Sequence, residues 1–243
     1  MDLKIQILQK FRDFFISNNI NPEPFLINSR DGMDLPDYRS GFSFPMRNKD
    51  GKKMTYSPKL VNGKALYLPE AREVNLDTIA GYITSFLIYL PVKNLDFNEA
   101  LAIANECAAR FSTAGSEPVY INTRKLTESV LAETSFYSAT HSIWRCPIQG
   151  IRENTYYDCE INILSSKVSV ASTLPPAAAI VTGINANETV YMLKLKGQIP
   201  SPLRAELSLL SRIRRGGPEL DMQLRNWYDD PNWRPEGWDG KFI

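Results

Sequence analysis

The stretch from Ile79 to Asn122 constrains the fold most, because its pattern indicates a strand, a helix and a second strand in succession. Residues 79–90 are rich in aromatic and β-branched side chains, which favour a buried strand. Pro91 follows, and proline lacks the N–H group that a strand ladder requires. We therefore predict a strand over residues 79–90 that ends at Pro91.

A helix is predicted over residues 97–113. Asp96 and Glu99 have the spacing of a capping box, in which each side chain accepts a hydrogen bond from the backbone N–H of the other residue. Apolar residues recur at helical spacing and form one wide stripe: Phe97, Ala100, Leu101, Ile103, Ala104, Cys107, Ala108 and Phe111. Gly115 provides the left-handed residue that ends such a helix. The following strand, at 119–122, should run parallel to the first if both belong to one sheet.

The N-terminal residues 3–19 place Leu8, Phe11 and Phe15 on one face, with Ile7 and Phe14 beside them. This spacing predicts an amphipathic helix. A helix of this kind can bind a membrane surface or a partner protein, but docking on the core of its own domain is the favoured interpretation.

The remaining elements predict an α+β protein with a single mixed, largely antiparallel sheet, a central strand-helix-strand unit, an N-terminal amphipathic helix and C-terminal helices. We divide the chain into that helix (1–20), an irregular turn-rich region with short strands (21–78), and an α+β core domain with a Trp-rich tail (79–243). The core domain should contain a short helix at 126–134 with Val130 and Leu131 facing inward, and a helix that begins at Ser201-Pro202. Two hairpins are predicted, one from 143–148 and 156–164 and one from 180–184 and 189–196.

Charge and hydropathy exclude some classes of partner. The 28 basic and 27 acidic residues give a net charge of +1, which provides no general field for attracting nucleic acid. No run approaches the ~20 apolar residues that span a bilayer, so membrane contact is expected only through an N-terminal anchor removed before Met1. This leaves both the cytoplasm and the periplasm open as locations.

The three cysteines, Cys107, Cys146 and Cys159, lack C-x-x-C spacing and nearby histidines, so we expect no metal or other cofactor. Cys107 belongs to the apolar stripe of the predicted helix. Cys146 and Cys159 flank a predicted hairpin turn nearly symmetrically, which should bring them opposite or diagonal to each other. A disulfide between them is an alternative that requires an oxidising compartment.

The candidates for catalysis are few. No glycine-rich phosphate-binding loop occurs, and no pair of acids lies in a recognisable acid-base setting. His141, the only histidine, lies in a hydroxyl-rich segment, and a structural histidine is favoured there over a catalytic one. A hydrolase-like enzyme that uses His141 is therefore the alternative hypothesis.

The favoured hypothesis is a non-enzymatic protein-binding protein. Tryptophan is concentrated in the C-terminal segment, where aromatic and acidic residues would form a hot-spot surface for a protein partner. The proposed partner-binding residues are Trp227, Tyr228, Asp229, Asp230, Trp233, Trp238 and Asp239. From the type of chain alone, we expect an immunity-type inhibitor of a protein toxin or a partner in cell-envelope or secretion assemblies.

Overall fold

The fold is known from a computed structural model, which describes residues 1–21, 40–44, 53–122, 126–133, 138–149, 155–167 and 189–213. This part of the chain forms ten strands and four helices. In chain order they are β1 (Asp2–Ile5), α1 (Phe11–Ser17), β2 (Ser40–Phe44), β3 (Ser57–Leu60), β4 (Leu66–Tyr67), β5 (Glu73–Ile79), β6 (Tyr82–Leu95), α2 (Phe97–Thr113), β7 (Glu117–Ile121), α3 (Glu128–Glu133), β8 (Ser138–Pro147), β9 (Tyr156–Lys167), β10 (Thr189–Gln198) and α4 (Ser201–Ile213).

A seven-stranded sheet with the order β2-β5-β6-β10-β9-β8-β7 dominates the architecture. All of its neighbouring strands are antiparallel, so β6 and β7 run in the same direction although three strands separate them. A second, three-stranded sheet has the order β1-β3-β4, and in it β1 is parallel to β3. The α+β class and the large, mostly antiparallel sheet are confirmed, whereas the small sheet was not predicted.

Helix α2 has the predicted boundaries because strong local signals fix both of its ends. The Glu99 N–H donates to Asp96 Oδ1 at 2.8 Å, and the Asp96 N–H donates to Glu99 Oε2 at 3.2 Å, which completes the capping box. Gly115 follows the C-cap with a φ of 87°. The buried side of the helix, which includes Cys107 and Phe111, packs against the middle of the large sheet.

The predicted strand at 79–90 is wrong at both ends. Ile79 ends β5, Ala80 and Gly81 form a turn with positive φ, and β6 then continues through Pro91 to Leu95. The ladder between β6 and β10 shifts its register where Pro91 lies, between the Leu90–Leu193 and Leu95–Tyr191 pairs. Proline is tolerated at such an irregularity because no regular ladder bond needs its N–H.

The predicted N-terminal helix is wrong over its first half. Residues 2–5 form strand β1, in which Leu3 and Ile5 are buried while their neighbours are exposed, and α1 covers only 11–17. Pairing with β3 decided this outcome, since the same apolar residues fit either a helical face or an alternating strand. The favoured docking on the core is confirmed, because Phe11, Phe14 and Phe15 of α1 are buried.

The later elements agree with prediction in part. The β8–β9 pairing confirms the first hairpin, but Val130 of α3 is exposed and only Leu131 faces inward. Strand β10 pairs with β6 on one edge and with β9 on the other, so it has no edge left for the partner strand of the second predicted hairpin. Residues 180–184 themselves lie outside the described residues. Helix α4 begins at Ser201 as predicted, and its Leu203 and Leu207 are buried.

One hydrophobic cluster joins the N-terminal strand and helix, the small sheet and one face of the large sheet. Within the described ranges, none of the helices has the length and apolar character needed to cross a membrane.

Candidate functional site

Strand β7 forms an exposed end of the seven-stranded sheet. Of the described strands it pairs with β8 alone, and each of its five residues is solvent-exposed. The exposed fractions are 50% for Val119, 45% for Tyr120 and 52% for Ile121. These are three of the seven large apolar side chains that are exposed in the described part of the chain, and they lie consecutively on one strand. Single exposed apolar residues are ordinary on a protein surface, so this run of three at a sheet edge is the candidate interaction site.

The backbone of β7 is open to pairing over only part of its length. Pro118 has no N–H, and the register with β8 shifts between Pro118 and Tyr120, which makes Val119 the extra residue of a bulge. The Asn122 N–H donates to the His141 carbonyl at 3.0 Å. Because backbone groups alternate in direction along an antiparallel strand, the N–H and C=O of Ile121 point away from β8.

Three clefts that share lining residues lie near the C-terminal end of α2, between β7 and β4, and we call them together the α2 groove. The clefts have volumes of about 340, 200 and 350 Å³ and are named here the edge, middle and β4 clefts. The edge cleft is lined by Gly115, Glu117, Arg145, Pro147, Thr155 and Tyr156. It shares Gly115 and Pro147 with the middle cleft, which in turn shares Lys64, Leu66 and Ala114 with the β4 cleft. The exposed ring of Tyr67 lines the far end.

The cations that line the α2 groove are engaged within the protein. Arg145 lies 4.0 Å above the ring of Tyr156 and 3.3 Å from Asp158 Oδ1. Lys64 Nζ donates to the Thr113 carbonyl at 3.1 Å, and Arg110 pairs with Glu106. The two arginines are therefore paired with acids, and the Lys64 ammonium is hydrogen-bonded to a backbone carbonyl.

His141 is the extra residue of a β-bulge in β8. Its neighbours Thr140 and Ser142 pair with Asn162 and Ile161, which are adjacent residues of β9. Its Nε2 is 3.0 Å from Asn105 Oδ1 on α2, and its Nδ1 is 3.0 Å from Ser142 Oγ. An amide oxygen only accepts, so Nε2 carries the proton and Nδ1 accepts from the Ser142 hydroxyl.

Ser142 and His141 are hydrogen-bonded as a catalytic nucleophile and its base would be, but a substrate could not reach the serine hydroxyl. Ser142 is 0% exposed, and its Oγ also accepts a 2.9 Å hydrogen bond from Trp144 Nε1. Burial lowers the pKa of His141, which holds the ring neutral against α2. His141 lines none of the three clefts of the α2 groove. The geometry therefore supports a structural role for His141, in which it joins α2 to the sheet.

The three cysteines are buried and form no disulfide. Trp144 pairs with Cys159 and Tyr157 pairs with Cys146, so the two hairpin cysteines lie diagonally across β8 and β9 as free thiols. Burial raises the pKa of Cys107 to about 12 and that of Cys146 to about 11. Thiol chemistry requires the thiolate, so these cysteines are not suited to act as nucleophiles. Among the described residues, no three His, Cys, Asp or Glu side chains converge as a metal site.

The proposed tail residues, from Trp227 to Asp239, lie outside the described residues. The exposed apolar group on β7 was missed, although one signal for it was present in the sequence. Pro118 directly precedes the predicted second strand at 119–122, and proline in or next to a strand is restricted largely to the edges of sheets.

Comparisons with protein-family models, with curated proteins and with solved structures found no match for this chain.

Proposed function

We propose that this chain is a non-enzymatic protein-binding protein and that the edge of β7 opposite β8 is its main interaction surface. One observation carries the proposal: Val119, Tyr120 and Ile121 are each about half exposed on a strand that, among the described strands, pairs with β8 alone. Burial of such residues against a partner would remove apolar area from water, and the outward backbone groups of β7 would form hydrogen bonds with the partner at the same time.

The chemistry of this surface suits a protein better than the other classes of ligand. Tyrosine is among the residues that most often dominate protein interfaces. Glu117 is the only charged residue of β7, and the neighbouring Arg145 is already paired, so the edge offers little to a polyanion.

The acidic and aromatic tail remains a second proposed surface, formed by Trp227, Tyr228, Asp229, Asp230, Trp233, Trp238 and Asp239. The assignment as a toxin inhibitor of the immunity type or as a partner in envelope or secretion assemblies also remains a proposal, which rests on the type of chain. Identification of the partner tests both the tail surface and the assignment to one of these two classes.

Site-specific photo-cross-linking in the source cell tests the proposal. A photoreactive phenylalanine analogue replaces Tyr120 in one full-length protein and Ile16 in another. Ile16 is a matched control because it is exposed and apolar but lies on α1, whose Phe11 stacks on Phe42 of β2 at the opposite end of the sheet. We expect a discrete cross-linked protein from position 120 and none from position 16.

The cross-linked protein is then purified and its affinity is measured for the wild type, Tyr120→Lys and Ile16→Lys. A loss of affinity of tenfold or more, ~1.4 kcal/mol, for Tyr120→Lys alone supports the proposal. Equal cross-linking from both positions, or equal affinity of both variants, contradicts it. A chain that ends at Asn226 and still folds by circular dichroism tests the tail in the same assay.

A further inference from the structure

We propose that the partner contributes an extended segment that pairs antiparallel with β7 as an eighth strand and continues at its C-terminal side into the edge cleft of the α2 groove. This inference rests on the proposed binding function and specifies the form of the ligand. It starts from the backbone of β7, because an edge strand presents a row of N–H and C=O groups that another extended chain satisfies best.

The usable part of the edge is short. Pro118 removes one donor and the bulge at Val119 turns the strand, and both features protect an edge from indiscriminate pairing. The outward backbone groups of Ile121 therefore anchor the added strand. Apolar side chains of the ligand would pack beside Tyr120 and Ile121, since a charged group buried there would lose water without gaining a partner.

The length of β7 argues against a second copy of this chain that pairs through this edge alone. The five residues of β7 extend over about 17 Å at ~3.4 Å per residue. Two copies paired through this edge alone would bury far less than the ~800 Å² per partner of a standard interface. A segment that continues past the strand gains additional contact from the groove.

The direction of the ligand follows from the position of the groove. Gly115 and Glu117, at the N-terminal end of β7, line the edge cleft together with Tyr156. Every neighbouring pair in the large sheet is antiparallel, and in an antiparallel arrangement the C-terminal side of the ligand passes this end. The ring of Tyr156 and the side chain of Pro147 then receive an apolar residue of the ligand.

A displayed library of random peptides of about 12 residues, selected on the full-length protein, provides the probe. We expect selected peptides to alternate apolar and polar residues. Synthetic versions should lose tenfold or more in affinity for Ile121→Lys and keep their affinity for Ile16→Lys, which makes the same chemical change on α1. Far-ultraviolet circular dichroism establishes that both variants fold.

Amide hydrogen exchange then distinguishes strand pairing from docking of side chains. The Ile121 amide should exchange quickly in the free protein and at least tenfold more slowly with peptide bound, whereas the Asn122 amide, bonded to His141, should be protected in both states. A photoreactive group at the C-terminus of the peptide should cross-link near Tyr156, and the same group at its N-terminus should not.

Each outcome decides between the two proposals. Peptides that depend on Ile121 but leave its amide unprotected contradict strand pairing and leave the binding function standing. Cross-linking near Tyr156 from the N-terminus contradicts the antiparallel direction. A library that yields no peptide sensitive to Ile121→Lys overturns the extended ligand, and the cell cross-linking at Tyr120 then shows separately whether a folded partner uses this edge.

Discussion

Gly197 of β10 lies directly against the ring of Phe86 on β6. A Cβ atom at this position would approach the ring carbons to 2.3 Å, far inside the contact distance of two carbon atoms. Phe86 is buried and in edge contact with Tyr157, at 5.9 Å between ring centroids, so it has little room to move. The glycine is therefore needed for packing across two central strands.

We predict that Gly197→Ala lowers the free energy of unfolding by about 1–3 kcal/mol, the usual cost of overpacking a core. Urea unfolding followed by circular dichroism measures the change. Gly41→Ala is the matched control, because its added Cβ would meet only Asp77 Oδ1, at 3.4 Å. A cost at Gly197 no greater than at Gly41 would contradict the packing argument.

His141 gives a second prediction at the residue scale. Burial lowers its pKa below the ordinary value of 6.5, so the unfolded chain binds a proton more readily than the folded chain does. The stabilisation from the neutral ring is therefore complete above pH 6.5 and is lost as the pH falls from there towards the lowered pKa. His141→Gln removes this titration, and its stability should vary less with pH than that of the wild type.

Urea unfolding at intervals between about pH 5 and 7 measures both proteins, since histidine changes charge within this range. Parallel stability curves for the wild type and His141→Gln would show that the histidine titrates alike in both states. Such a result would remove the structural role assigned to its neutral form.

At the scale of elements, α2 owes its N-terminus to the side chain of Asp96. The capping box satisfies backbone donors that the helix itself leaves unpaired, and Glu99 also forms a 2.7 Å ion pair with Lys93. The helix packs on β8, β9 and β10, so a defect at its N-terminus should lower the stability of the whole domain.

We predict that Asp96→Ala lowers the free energy of unfolding by about 1 kcal/mol and that Asp96→Ser, which retains a capping oxygen, loses less. Chemical denaturation measures both variants. If alanine and serine prove equally destabilising, the loss comes from the charge of Asp96 and not from its hydrogen bond to the Glu99 amide.

At the scale of the whole molecule, the N-terminal segment is part of the core. Phe11 stacks on Phe42 of β2, with 3.7 Å between ring centroids. The Leu8 N–H donates to the Ile83 carbonyl at 2.7 Å, which ties the segment to β6. The small sheet adds β1, so both sheets depend on the first residues of the chain.

We therefore predict that residues 1–21 and the large sheet unfold in one cooperative transition. Phe11→Ala should lower the free energy of unfolding by about 3–5 kcal/mol, whereas Ile16→Ala, at a side chain that is 63% exposed, should change it little. Native-state hydrogen exchange provides the critical comparison. Amides of α1 that open well before those of β9 would show that the N-terminal segment is a separate unit.

The elements whose signals are local were predictable from the sequence alone. The capping box, the apolar stripe and Gly115 placed α2 at its observed boundaries, and regular alternation placed β9 and much of β10. These patterns succeed because the partners of a helix cap lie within one turn and because alternation along a strand reports which face is buried.

Features that depend on residues distant in the sequence became clear only in the folded structure. Residues 2–5 form a strand because they pair with β3. Strand β6 continues through Pro91 because its ladder with β10 is irregular at that point. The exposure of Val119, Tyr120 and Ile121 has the same kind of cause. Their apolar character indicated a strand, but only the order of the described strands placed that strand at an edge of the sheet, where its side chains are exposed to solvent.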